Sequence, residues 1–115
     1  MLPKHLRLPL RKSGTFFATA QRVSHPWFTC WYRHDDSHFQ ASIIVSKKVS
    51  LLAVDRNQLK RRVRTILQRV TPPNGLKTVF VMKRASLSVS VDELATAVQK
   101  TLIQISHENN HHRPA

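Results

Sequence analysis

Residues 55–70 carry two patterns on one segment, and any fold of this chain has to satisfy both. Set on a helix at about 100° per residue, Leu59, Val63, Ile66, Leu67 and Val70 fall within an arc of roughly 100°, the width of a stripe that packs on a core. Asn57, Lys60, Arg61, Arg64 and Gln68 fall on an adjoining arc of similar width. Arg62 and Arg69 lie on the other flank of the stripe. Arg56 borders it in the first turn, where its side chain can project past the end of the core. The segment therefore needs a body to pack on, and it keeps a strongly basic face outside that body.

A run of charge is most often a solvated helix face. Three features argue for a partner instead. No acidic residue stands at i±4 to any of these cations, so compensating pairs are missing. The cations crowd the first half of the helix, where the macrodipole disfavours positive charge. Lys47 and Lys48 precede the helix in a short connection and add to the same end. A cluster that breaks local rules without compensation points to a ligand elsewhere. Arg offers a planar fork for phosphate and Lys a point charge. Asn57 both donates and accepts, which suits a backbone or ribose group.

The whole chain leans the same way. Its 115 residues suit a single domain, and 41% are hydrophobic, enough for a modest core. Lys and Arg number 19 against 6 Asp and Glu, a net charge of +13. Such an excess attracts polyanions; nucleic acid leads because neutralising phosphates releases counterions, and an anionic membrane surface is the rival. No stretch approaches the ~20 apolar residues of a membrane helix, and the N-terminus has no apolar run of signal-peptide length. A soluble, cytoplasmic protein with no membrane partner is the expectation. The lone Cys30 sits in an apolar run and reads as a small core residue rather than a nucleophile.

Elsewhere the pattern predicts a short helix from Ser13 to about Gln21, with Phe16 and Phe17 as its large apolar residues. Trp27–Tyr32 reads as a strand whose faces are Phe28, Cys30, Tyr32 and Trp27, Thr29, Trp31. His34–Ser37 reads as a turn, and Phe39–Ser46 alternates as a second strand. These two strands are expected to form an antiparallel hairpin. Asp55 is expected to cap the basic helix, with Gln58 reaching back and Val54 packing on Leu59. Ser90 with Glu93, and Val89 with Leu94, repeat the device for a last helix. Its stripe is Leu94, Val98, Leu102 and Ile105. Thr71–Gly75 stops the basic helix, and Leu76–Met82 is an apolar strand. Helices packed on a small sheet define an α+β class. Residues 1–106 are expected to form the domain and 107–115 a disordered polar tail.

The segment Val45-Ser46-Lys47-Lys48, followed by Ala53-Val54-Asp55-Arg56-Asn57-Gln58-Leu59-Lys60-Arg61-Arg62-Val63-Arg64, resembles the signature of the bacterial ribonuclease P protein subunit. The resemblance extends outward to Leu6-Arg7-Leu8, the aromatic first helix, Arg22, the strands, Lys83-Arg84 and the final helix. It implies a single small α+β domain of αβββαβα order, ribosomal-protein-S5-domain-2-like, with a left-handed βαβ crossover carrying the basic helix; the general rule predicts the opposite hand. It implies a subunit that binds a catalytic RNA 1:1 and the 5′ leader of precursor tRNA, promoting Mg-dependent removal of that leader. Catalysis and most of the Mg²⁺ belong to the RNA, so no catalytic and no metal-binding residue is expected in the protein. Residue by residue, Lys47, Lys48, Arg56, Asn57, Lys60, Arg61 and Arg64 map onto RNA contacts. Phe16, Phe17, Thr29 and Trp31 map onto a leader cleft, where stacking is worth about 1–3 kcal/mol per base. The sequence departs from the family at Gln58, where many members have Arg, and at Ala41, where Gly is frequent.

Seven His residues raise a zinc alternative, but His107 and His111 stand in a polar tail and there is one Cys. His34 and His38 with Asp35 and Asp36 read as turn decoration. The competing functions are a general RNA-binding or ribosome-associated module and a membrane-surface protein.

Overall fold

The computed structural model describes residues 14–34, 39–69 and 75–112, with side chains from 17 to 106. The elements run α1 (Gly14–Thr19), β1 (Gln21–His25), β2 (Phe28–His34), β3 (Gln40–Ile44), α2 (Ala53–Arg69), β4 (Leu76–Met82), a 3-10 turn (Arg84–Ser88) and α3 (Val91–His112). The α+β class read from the sequence is the class the chain adopts. Ser13, Leu6–Leu8, Asp35–His38, Val70 and the Thr71–Asn74 part of the helix stop lie outside the described residues. Gly75, at φ 76°, supplies the left-handed turn into β4.

The sheet order is β1-β2-β4-β3. The expected hairpin of the second and third strands is therefore corrected: β4 lies between them, antiparallel to β2 and parallel to β3. The physical reason lies in β4 itself. Its residues are buried at every position but one, so it belongs at the centre, covered on both faces. The hairpin that does form joins β2 to β1, with His25 opposite Phe28 across a two-residue turn. β1 carries little signal in the sequence: Val23 is its one aliphatic residue and its outer positions are polar, as suits an edge strand. β3 and β4, being parallel neighbours, are linked through α2.

The sheet separates two environments. On one side Phe28, Cys30, Tyr32, Ala41, Phe80 and Met82 form the core with Leu59, Val63, Ile66 and Leu67 of α2. Leu94, Val98, Leu102 and Ile105 of α3 complete it, so both helical stripes read from the sequence pack as expected. Phe28 and Phe80 meet edge to face at 5.5 Å. Burial drives the Cys30 thiol up to about 12, consistent with a core residue.

The helix ends behave differently from one another. At α3, Glu93 N–H donates to Ser90 Oγ (3.1 Å) and the Ser90 hydroxyl donates to Glu93 Oε1 (3.2 Å), so the expected capping pair is present. At α2 it is not. The helix starts two residues before Asp55, with Arg56 N–H donating to the Leu52 carbonyl (3.2 Å). Asp55 stands in the first turn, where a carboxylate suits the macrodipole, and accepts from the Ser50 hydroxyl (3.1 Å). Val54 is 75% exposed and staples nothing. α3 also continues to His112, past the boundary expected at His107, because no Pro or Gly interrupts it before Pro114.

Candidate RNA interface

Two surfaces gather the residues singled out by sequence. The first is the outer face of α2 with the connection before it. Lys47, Lys48, Asn57 and Arg61 are exposed, while Lys60 and Arg64 are half-buried beside the core stripe. Their alkyl stems can lie on apolar surface with the charged ends in water. Among the described residues, Asp55 accepts from the Ser50 hydroxyl and Glu93 from the Ser90 hydroxyl.

Arg56 has a second duty that its place in the motif does not reveal. Its Nη1 donates to the Ser50 carbonyl at 2.8 Å, tying the start of α2 to the preceding connection. That connection is built on two serines. Lys48 N–H donates to Ser46 Oγ (3.3 Å), Val49 N–H to the Ser46 carbonyl (3.0 Å) and Leu52 N–H to Ser50 Oγ (3.1 Å). Val49 is buried and anchors the loop in the core.

The second surface is the sheet face opposite α2 and α3. Alternation along β2 sends Thr29 and Trp31 there, half-exposed, while Phe28, Cys30 and Tyr32 point inward. Strand register sets rows across this face: Arg22, Trp31, Val79 and Ser42 in one, Ser24, Thr29, Val81 and Ile44 in the next. α1 packs on it, its Phe17 ring meeting the Trp31 indole edge-on at 5.3 Å. Arg33 Nη1 donates to Thr19 Oγ1 (3.2 Å) and fastens the end of α1. The side chain of Phe16 lies outside the described residues. Trp27, grouped with Thr29 and Trp31 from the sequence, sits instead in the β1–β2 turn and packs toward the core.

This face also holds cations that the aromatic pattern alone did not bring forward. The Arg22 guanidinium lies 5.5 Å from the centre of the Trp31 ring, a cation–π arrangement. Lys83 Nζ donates to Ser24 Oγ at 3.1 Å. Arg22 already stands in the family resemblance, but its place beside Trp31 follows from the strand register, which pairs it with that residue across β1 and β2. Cations beside a half-exposed indole are what an unpaired nucleic acid strand needs: phosphate neutralisation and a stacking plane. Among the described residues no three His, Cys, Asp or Glu are grouped to hold a metal ion. No helix among them is long and apolar enough to cross a membrane.

A small basic α+β domain with a cationic helix face and an aromatic, cation-flanked sheet face defines the class of nucleic-acid-binding subunits. The comparisons narrow it. The Ribonuclease P family model matches residues 2–106, and the chain belongs to that family. The ribonuclease P protein component of Pseudanabaena sp. (strain PCC 6903) is 29% identical over 107 residues, 89% of this chain and 92% of the relative. That of Xanthomonas euvesicatoria pv. vesicatoria (strain 85-10) is 29% identical over 102 residues, 87% of this chain and 70% of the relative. The ribonuclease P protein from Thermotoga maritima has the same fold, with a TM-score of 0.76 at 24% identity, covering 84% of this chain and 94% of that one. Membership makes this chain a protein component of a tRNA-processing ribonucleoprotein.

Proposed function

We propose that the chain binds the catalytic RNA of ribonuclease P, one protein per RNA, through the α2 face and the double lysine. In this reading Lys47, Lys48, Lys60, Arg61 and Arg64 neutralise phosphates. Asn57 holds a backbone or ribose group, and Arg56 braces the loop while adding charge. The sheet face around Phe17, Thr29 and Trp31 holds the single-stranded 5′ leader of precursor tRNA. The Mg²⁺ ions that serve leader hydrolysis are the RNA's; the protein's residues bind, orient and neutralise. The site of action is the cytoplasm.

The observation that carries this reading is the α2 face of Asn57, Lys60, Arg61 and Arg64. It presents cations without acidic partners among the described residues, in a member of this family. The test is reconstitution. Adding the protein to a bacterial ribonuclease P RNA at low Mg²⁺ should restore cleavage of precursor tRNA at the mature 5′ end. Failure to restore cleavage, or equal binding to an unrelated duplex, overturns the reading.

A further inference from the structure

Large apolar side chains scattered singly on a surface need no explanation, but three within four residues on a braced segment do. Leu51 is 83% exposed, Leu52 65% and Val54 75%, and all three lie where the β3–α2 connection enters the helix. The polypeptide around them is held firmly. Val49 anchors in the core, Ser46 and Ser50 close two local turns, and Arg56 and Asp55 grip Ser50 from the helix. The leucines are thus presented by an organised loop, and ordering them on a partner costs little.

What lies beside them identifies the partner. Lys47 and Lys48 stand in the same connection, both exposed, and Asn57 and Lys60 follow within the next two turns of α2. A protein surface large and apolar enough to cover the leucines would have to meet this charge as well. A nucleic acid supplies both surfaces at once: phosphates for the lysines and a base face for the leucines. Apolar side chains flanked by cations are known to wedge against or between bases, and RNA is read chiefly where its bases are unpaired.

We propose that Leu51 and Leu52 form an apolar wedge that packs on an unpaired or partly unstacked base of the RNA whose phosphates Lys47 and Lys48 neutralise. The inference rests on the RNA-binding reading above and adds a non-electrostatic contact to it. Leu51 leads because it is the more exposed, and Val54 flanks the contact.

Salt dependence separates the wedge from the phosphate contacts, because counterion release sets the slope of log affinity against log salt and an apolar contact does not enter it. Binding of a ribonuclease P RNA transcript is measured across a KCl series for four full-length proteins: the natural chain, Leu51→Ala with Leu52→Ala, Leu51→Met with Leu52→Met, and Lys60→Ala with Arg64→Ala. The alanine pair should bind about tenfold more weakly at every salt concentration, with the natural slope. The methionine pair, similar in volume, should stay close to the natural chain. Chemical probing should show a nucleotide whose reactivity changes with the natural chain and not with the alanine pair. Natural affinity in the alanine pair, a changed slope, or an unchanged probing pattern overturns the wedge. So does a loss confined to self-association or to binding of phosphatidylserine vesicles. If the natural chain binds no better than Lys60→Ala with Arg64→Ala, the RNA reading has failed first and takes the wedge with it.

Discussion

Phe17 and Trp31 come from different elements and meet edge to face at 5.3 Å, with the plane of one ring nearly perpendicular to the other (89°). The contact positions α1 over the sheet and leaves the indole half-exposed beside Arg22. Phe17 and Trp31 thereby form a wall and a floor at this face of the sheet.

Trp31→Ala should therefore weaken binding of precursor tRNA carrying a leader by roughly tenfold, in keeping with the loss of about one stacked base. Affinity for mature tRNA in the same holoenzyme should change little. Equilibrium binding of the two substrates measures this, and an equal loss for both would remove Trp31 from leader recognition.

Lys60→Ala and Arg64→Ala should each weaken binding to the RNA subunit and lower the salt slope by about one. Both lie beside the buried stripe rather than in it, so the far-ultraviolet spectrum and the melting temperature should be nearly natural. A variant that unfolds would make the residue structural and refute its assignment to the interface.

Ser90→Ala removes the hydroxyl that accepts from Glu93 N–H and donates to its carboxylate. The expected loss is about 1 kcal/mol of stability, read from urea midpoints at constant m-value. Asp55→Asn is the contrasting case: it keeps an acceptor for Ser50, and its effect should be smaller.

His25 gives the fold a pH dependence. Its ring stacks on Phe28 at 4.7 Å, and its Nδ1 accepts from Trp27 N–H at 3.1 Å. Partial burial, and then the Lys83 ammonium, hold it below its ordinary value of 6.5. The folded state thus takes up a proton less readily than the unfolded chain. The contribution is fully present above pH 6.5 and is lost as the pH falls below it, toward the lowered folded value. Thermal melts from about pH 7.5 to about pH 5 should show a shallower decline for His25→Ala than for the natural chain. Parallel declines would assign the effect to other histidines.

What the sequence discloses depends on how locally each feature is determined. The α2 stripe, the α3 stripe and the Ser90–Glu93 cap were readable because each is set by residues within a few positions of one another. Strand pairing was not: nothing local to Trp27–Tyr32 or Phe39–Ser46 says that Leu76–Met82 will insert between them. The continuous apolarity of β4 was the available clue, since only a central strand is covered on both faces. The α2 start departs from the sequence expectation because Asp55 has the chemistry of a cap while Ser50, five residues earlier, organises the entry. The same nonlocality hid where Arg22 and Lys83 sit: they reach Trp31 and Ser24 only through pairings between strands.

The placement of β4 has a consequence for synthesis on the ribosome. β1, β2 and β3 all emerge before it, yet β3 has no other strand to pair with, and β2 keeps one edge open until β4 arrives. Through that interval the sheet is unclosed and the apolar stripe of the cationic α2 is only partly covered. β4 closes the gap in the sheet, and α3, which follows it, completes the cover over the stripe. The basic face thus acquires its fixed geometry late, only when both β4 and α3 are available to pack against.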